Sequence, residues 1–299
     1  MKVSVVVSSY NQEDYIEECI DSICSQEVSC DLEVLVSDDA SNDSTQEKLV
    51  GLRNKYPDIV KLYLHDSNSG AAKNYLFVHS KAQGEFVFHM DGDDVMVPGK
   101  ICMQLQAFES NPKVNVVFHK AEYFSDDGIY NSVTMFPNGG DVLFSASDLA
   151  SWGSVAVHSS YAYRRSSRTI HHLENEFMEW FFAMDSILPN GVGVFLDKVL
   201  VRYRCNPTPG SYLSTHAGAK KAYNIYLDDI EGLFVADSRF REELYANYVV
   251  SYLAMSKFFK KFPLKRLKFL ILNARYFNYA TVKKVFDVRR YVGPEERLR

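Results

Sequence analysis

The sequence predicts an α/β fold built on a mostly parallel sheet flanked by helices, with a helical extension at its C-terminal end. Two observations carry this. Over the first 120 residues, short β-branched runs alternate with segments of helical spacing, and the runs are apolar on both faces. Strands buried on both sides and joined by helices indicate a parallel sheet with helices on each face. The 299 residues are 46% apolar, 24% charged and 14% aromatic, which excludes a disordered, collagenous or coiled-coil chain.

In chain order, the pattern predicts strands over 3–8, 32–36, 60–64, 86–89 and 114–119. Helices are predicted over 15–24, 46–56, 71–82 and 98–109, the last opened by Pro98 in its first turn. From 123 to 204 the pattern loosens into Gly-, Asn- and Ser-rich loops, with one helix over 174–188 and strands over 192–196 and 200–203. Phe177, Phe181, Met184 and Leu188 are expected to form the core stripe of that helix. The segment Cys205-Asn-Pro-Thr-Pro-Gly210 is a break, and the remainder reads helical. The expected division is 1–110, 111–212 and 213–299.

The five cysteines are odd in number, widely spread and without a Cys-x-x-Cys, which argues against a disulfide framework or a Cys-type zinc site. No apolar run approaches the ~20 residues of a membrane span. The apolar stretch at the N-terminus is too short for a signal peptide. A cytoplasmic protein is expected. The net charge of −5 conceals an asymmetry. Residues 255–299 hold 13 Lys/Arg against 3 Asp/Glu, so the rest of the chain is strongly acidic. Pro263 is expected to open a tail helix through about Phe277, with Leu264, Leu267, Ile271 and Ala274 on one face and the lysines mostly off it. A basic amphipathic tail suits contact with an anionic membrane on the cytoplasmic side; a packed helical layer or a self-association surface is the alternative. Nucleic acid is not expected.

Parallel sheets bind ligands at the carboxyl ends of their strands. There the sequence places Ser8-Ser9-Tyr10-Asn11, then Asp38-Asp39-Ala40-Ser41-Asn42-Asp43, then Asp91-Gly92-Asp93-Asp94. Two like charges ~6 Å apart repel by about 3 kcal/mol at an effective dielectric near 20. The last cluster therefore calls for compensation, and Mg²⁺ or Mn²⁺ shared with substrate phosphates is the simplest. A solvated acidic turn is the alternative. Asp39 and Asp43 also suit turn and N-cap chemistry, which is preferred for Asp43.

These pieces, with Asn68-Ser-Gly-Ala-Ala-Lys-Asn74 and the run from Gly84 to Lys100, resemble the family-2 glycosyltransferases of the GT-A (Rossmann-like) fold. The resemblance covers roughly the first 110 residues. It implies an inverting, metal-dependent transferase that moves a sugar from a nucleotide-sugar, UDP-linked by preference, to a glycan hydroxyl. It implies that Ser8 and Tyr10 frame the base and ribose, that Asp39 accepts from the base, and that Lys73 lies near the diphosphate. Asp91 would meet the ribose hydroxyls and share the metal with Asp93. Asp94 would tune that site or meet the donor sugar. The family's base precedes an aromatic residue at a helix start. Glu179, before Trp180, fits that place; Glu176 is second and Asp185 third. His158 falls in an expected acceptor loop, and Trp152, Tyr161 and Trp180 suit either sugar stacking or core packing. Asn206 stands where many relatives carry a histidine. A nucleotidyltransferase would be expected to show a Gly-rich loop after the first strand, which is absent; a non-catalytic carbohydrate-binding scaffold is the other alternative.

Overall fold

The computed structural model describes the chain except residues 129–130, 137–138, 172, 189, 206–215 and 290–299. Asn206 and most of the predicted break therefore lie outside the described residues.

The first part follows the predicted alternation: β1 (Lys2–Ser9), α1 (Ile16–Cys24), β2 (Asp31–Asp38), α2 (Thr45–Lys55), β3 (Val60–Leu64), α3 (Ala71–Lys81) and β4 (Phe86–Asp91). A short β5 (Val95–Met96) precedes α4 (Lys100–Ser110) and β6 (Val114–Phe124). Next come β7 (Asn131–Val133), β8 (Val142–Phe144), α5 (Ala146–Trp152), β9 (Ala162–Arg164), α6 (Glu179–Ile187) and β10 (Val192–Arg204). The chain ends in α7 (His216–Ala236), α8 (Arg241–Phe259), α9 (Leu264–Leu272) and α10 (Tyr279–Arg289).

One ten-stranded sheet runs in the order β3-β2-β1-β4-β9-β6-β10-β5, with β7 on β6 and β8 on β10. The pairs β3–β2, β2–β1, β1–β4 and β6–β10 are parallel, whereas β9, β7, β8 and β5 join antiparallel. The valines of β1 show why these strands are apolar throughout. Val5 and Val7 pack with Ile16 and Ile20 of α1 and Ile101 of α4, while Val6 packs on the opposite face with Val78 of α3. Each fully buried valine contributes roughly 1.5–3 kcal/mol.

Three predicted elements differ. The helix over 174–188 starts only at Glu179, because the amide of Met178 is capped by Asp229 Oδ2 of α7 at 2.7 Å and Phe177 turns into a cluster with Tyr75 and Phe182. Its core stripe changes accordingly. Trp180, Ala183, Met184 and Ile187 are buried, while Phe181 and Leu188 are only partly so. The two strands over 192–203 are one strand, β10, with a register shift between Leu196 and Val199. In the tail, α9 stops at Leu272. The buried Arg266 pairs with Asp228 and Glu231 of α7. This rolls the helix so that Leu267, Phe269 and Leu270 pack inward and the predicted apolar face is split.

Candidate active site

The sheet register builds the site. Ser8 is paired with Ser37 of β2 on one side and with Asp91 of β4 on the other. The loops after β1, β2 and β4 therefore meet at one edge. Asn11 Oδ1 accepts from the amide of Asn42 at 2.9 Å, and the amide of Asn11 donates to Ser41 Oγ at 2.8 Å. Those bonds fix Asn11, and both it and Ala40 in the facing loop lie in the left-handed region, at φ 51° and 60°. Such conformations cost side chains energy and are retained where the surroundings enforce them.

On this edge Tyr10 is exposed, and Ser8 Oγ is buried with no hydrogen-bond partner among the described residues. Asp39 is buried, accepting from Ser69 N at 2.8 Å, Ser69 Oγ at 2.9 Å and Gly70 N at 2.8 Å. It thus secures the entry to α3 while Oδ2 keeps room for one more donor. Lys73 is exposed in the first turn of α3. A cation there opposes the helix dipole, so helix stability does not account for it. Asp43 accepts from Thr45 N at 2.9 Å, the turn chemistry its sequence suggested.

The acids after β4 form a strained electrostatic group. Burial opposes ionisation of Asp91, but the imidazoles of His158 and His89 beside it hold its carboxyl below the usual range. Burial, then the charge of Asp91, pushes Asp93 up to about 7. Burial and the charges of Asp93 and Asp91 raise Asp94 well above its ordinary value. Asp94 Oδ1 accepts from Arg204 N at 2.8 Å, and the Ser159 hydroxyl beside its carboxyl lowers it only in part. The Asp93 carboxylate makes no ion pair among the described residues. Carboxylates this crowded, two of them raised by burial and by one another's charge, fit a hard divalent cation.

Across from them lies the acceptor side. A short 3-10 turn, His158–Ser160, packs on β4, and Ser159 Oγ accepts from the amide of Asp91 at 2.9 Å. His158 Nδ1 is 3.6 Å from Asp91 Oδ2, and its Nε2 is 2.6 Å from Glu179 Oε1, out of line for a hydrogen bond. Burial pulls His158 below the usual imidazole range against the opposing charge of Asp91. Glu179, the first residue of α6, lines a small pocket with His158, Trp180 and the 153–157 loop. Glu176 is elsewhere, exposed and paired with Lys221 of α7. Asp185 is buried and binds the backbone of Thr169 and Ile170. Trp152, Tyr161 and Trp180 are core residues.

Several participants escaped the sequence reading. Arg204 braces the acidic loop, donating to Asp93 O at 2.8 Å while pairing with Glu18 at 2.7 Å. Lys100 is fully buried and donates to Ser159 O; burial brings it down to about 7 against the opposing pull of Asp94, Cys19 and Asp91. His89 Nε2 lies 3.1 Å from Asp91 Oδ1, two residues away on the same strand face. A readable signal existed there, since a period of two puts His89 and Asp91 together in an otherwise apolar run. His89, Asp91 and His158 offer potential ligand atoms within 4.8 Å of one another.

The glycosyl transferase family 2 profile matches residues 4–183. An uncharacterized protein of Mycobacterium tuberculosis is 34% identical over 131 residues, which is 44% of this chain and 38% of that protein. The chain thus spans well under half the length of that relative. Among solved structures, TarS of S. aureus in complex with UDP-GlcNAc matches with a TM-score of 0.63 at 21% identity, over 100% of this chain and 83% of that one. A mannosyltransferase from Pyrobaculum calidifontis in complex with GDP-Man and Mn2+ matches with a TM-score of 0.59 at 18% identity, over 95% and 78%. These structures share the fold. The profile match spans more than half of the sequence, and its span includes both the acidic loop after β4 and Glu179, so the chain belongs to glycosyl transferase family 2.

Proposed function

We propose that the protein transfers a sugar from a UDP-linked donor to a hydroxyl of a glycan acceptor, with inversion at the anomeric carbon. The observation that carries this reading is the approach of Asp91 and Glu179 to the two nitrogens of one imidazole, His158. A donor-side acid cluster and an acceptor-side base thus share one small space. Ser8, Tyr10, Asp39 and Lys73 would hold the nucleotide, with the unpaired Ser8 Oγ available to it. TarS and the mannosyltransferase, crystallised with nucleotide-sugars, support the donor class.

Asp93 and Asp91 would hold Mn²⁺ or Mg²⁺, with Asp94 behind them. A cation there supplies neutralising charge to the departing diphosphate. Glu179 takes the proton of the acceptor hydroxyl as its oxygen bonds to the anomeric carbon; the bond from that carbon to the diphosphate oxygen breaks, and its electron pair leaves with UDP. Glu176, engaged with Lys221 on the surface, is the weaker candidate for the base. The test is UDP or GDP release from a panel of nucleotide-sugars with Mn²⁺. Slow donor-dependent release by the native protein supports the reading; none from any donor, with or without glycan acceptors, overturns it.

A second reading concerns where the enzyme works. On α9, Leu264, Ile271 and Leu272 are 75%, 66% and 69% exposed, and Lys265 and Lys268 are exposed on the same side of the helix. Large apolar groups interleaved with lysines suit an anionic lipid surface, where each basic residue adds about 1 kcal/mol. We therefore place the protein on the cytoplasmic face of a membrane, acting on a lipid-linked glycan. No helix among the described residues is long and apolar enough to cross a membrane. Salt-sensitive co-sedimentation with phosphatidylglycerol vesicles supports this reading. A concentration-dependent dimer without vesicle binding would assign the face to a second copy instead.

A further inference from the structure

Behind Asp91, two imidazoles that the reaction does not use form a chain into the core. His89 Nε2 lies 3.1 Å from Asp91 Oδ1, and His89 Nδ1 lies 3.1 Å from His79 Nε2. His79 Nδ1 lies 3.1 Å from Arg168 Nη1 and 2.9 Å from the Tyr163 hydroxyl. Arg168 is only 5% exposed. Its guanidinium sits over the Phe182 ring at 3.7 Å and its Nε donates to Ile170 O at 3.3 Å. Among the described residues it makes no ion pair with a carboxylate. A buried cation needs its charge answered.

The ends of the chain fix its direction. Arginine only donates hydrogen bonds, and an ionised carboxylate only accepts them. Arg168 Nη1 also donates to the Tyr163 hydroxyl at 3.3 Å, but a protonated Nδ1 would face the guanidinium at 3.1 Å with like polarity. The arrangement that suits both contacts has His79 Nδ1 accepting, with its proton on Nε2 and donated to His89 Nδ1. The His89 proton is then also on Nε2 and is donated to Asp91 Oδ1. Both ring dipoles point from the guanidinium to the carboxylate. The second ring nitrogen of a histidine is set by its partner in the same way at metal sites.

We propose that Arg168, His79 and His89 form a positioning chain that joins a buried cation to Asp91 and fixes the carboxylate through Oδ1, while Oδ2, on the donor side, faces His158 Nδ1 at 3.6 Å. With its proton on Nε2, His89 is not a metal ligand through that atom, although it lies among potential ligands. The chain stands on its own geometry; its service to the donor rests on the function proposed above for Asp91.

The test begins with the full chain labelled with ¹⁵N-histidine, read by long-range ¹H–¹⁵N correlation and assigned with His79→Gln and His89→Gln. The expected spectrum shows both rings protonated at Nε2, before and after addition of UDP with Mg²⁺. A His89 ring protonated at Nδ1, in either state, overturns the chain. Calorimetry with UDP and Mg²⁺ reads the consequence. His79→Leu removes the donor to His89 and is expected to weaken binding about 10–100-fold, whereas His79→Gln, whose amide can donate, should stay within about threefold of native. Equal losses in both variants would reduce His79 to a packing residue and overturn the positioning role. If His79→Leu fails to fold, the native spectrum still decides the chain, and a loss in His79→Gln as large as about tenfold overturns the positioning role. Should the native protein bind no UDP, the donor reading fails, while the spectrum still answers for the chain.

Discussion

The sheet edge and the C-terminal helices each gather charge of one sign, and they treat it in opposite ways. After β4, Asp91, Asp93 and Asp94 are crowded together; Asp93 makes no ion pair among the described residues, and burial raises Asp93 and Asp94. On α9, Lys265 and Lys268 stand in water beside Leu264, Ile271 and Leu272. Crowded, desolvated charge favours a compact counterion brought by a ligand. Exposed charge mixed with apolar surface favours an extended anionic surface. The two regions join at Asp229, which caps α6 from α7 and so ties the base-bearing helix to the C-terminal layer.

The comparison breaks most visibly at the acids. Asp93→Ala is expected to abolish transfer while circular dichroism and thermal melting stay near native; retained turnover would remove Asp93 from the site. Next, Glu179→Gln should lower kcat about 10²–10⁴-fold with donor affinity nearly unchanged, the range for loss of a general base. Glu176→Gln should be close to native in the same steady-state assay, and the reverse ranking would move the base to Glu176. On the other region, Lys265→Glu with Lys268→Glu should weaken binding to phosphatidylglycerol vesicles on the order of tenfold or more, from about 1 kcal/mol per basic residue. Sedimentation unchanged by the double reversal would separate α9 from the membrane.

The smallest effect is at the junction. Burial raises Asp229 to about 8, whereas an unfolded aspartate titrates near ~3.9. Between those values the folded state keeps a proton the unfolded state has lost, so the cost of this carboxyl grows as pH rises from about 4 to about 8. Asp229→Asn keeps an acceptor for Met178 N. Its melting temperature relative to native should therefore be higher at pH 8.5 than at pH 5; an equal difference at both would contradict the assignment.

Much of the first region was legible because its determinants are local. Valines on both faces of β1 and helical spacing in α1 each specify one element, and the rule for parallel sheets then places the acidic loops at one edge. The second region was less legible because its determinants are distant. The start of α6 depends on Asp229, some fifty residues away, and the roll of α9 depends on Asp228 and Glu231 of α7. The short helix α5 is a different case. Its Ser145–Asp148 capping box is a local signal, set within a loop-rich stretch whose pattern is otherwise irregular. Glu179 was selected by resemblance, but its approach to His158, and the links of His89 and Arg204 to the acids, come from chain folding that no spacing reveals.

The most direct test of the central claim is calorimetric titration of the native protein with UDP, with Mn²⁺ and again after EDTA, alongside Asp93→Ala. The account predicts saturable binding that needs both the metal and the Asp93 carboxylate. Equal affinity in EDTA, or in Asp93→Ala with Mn²⁺, would contradict it.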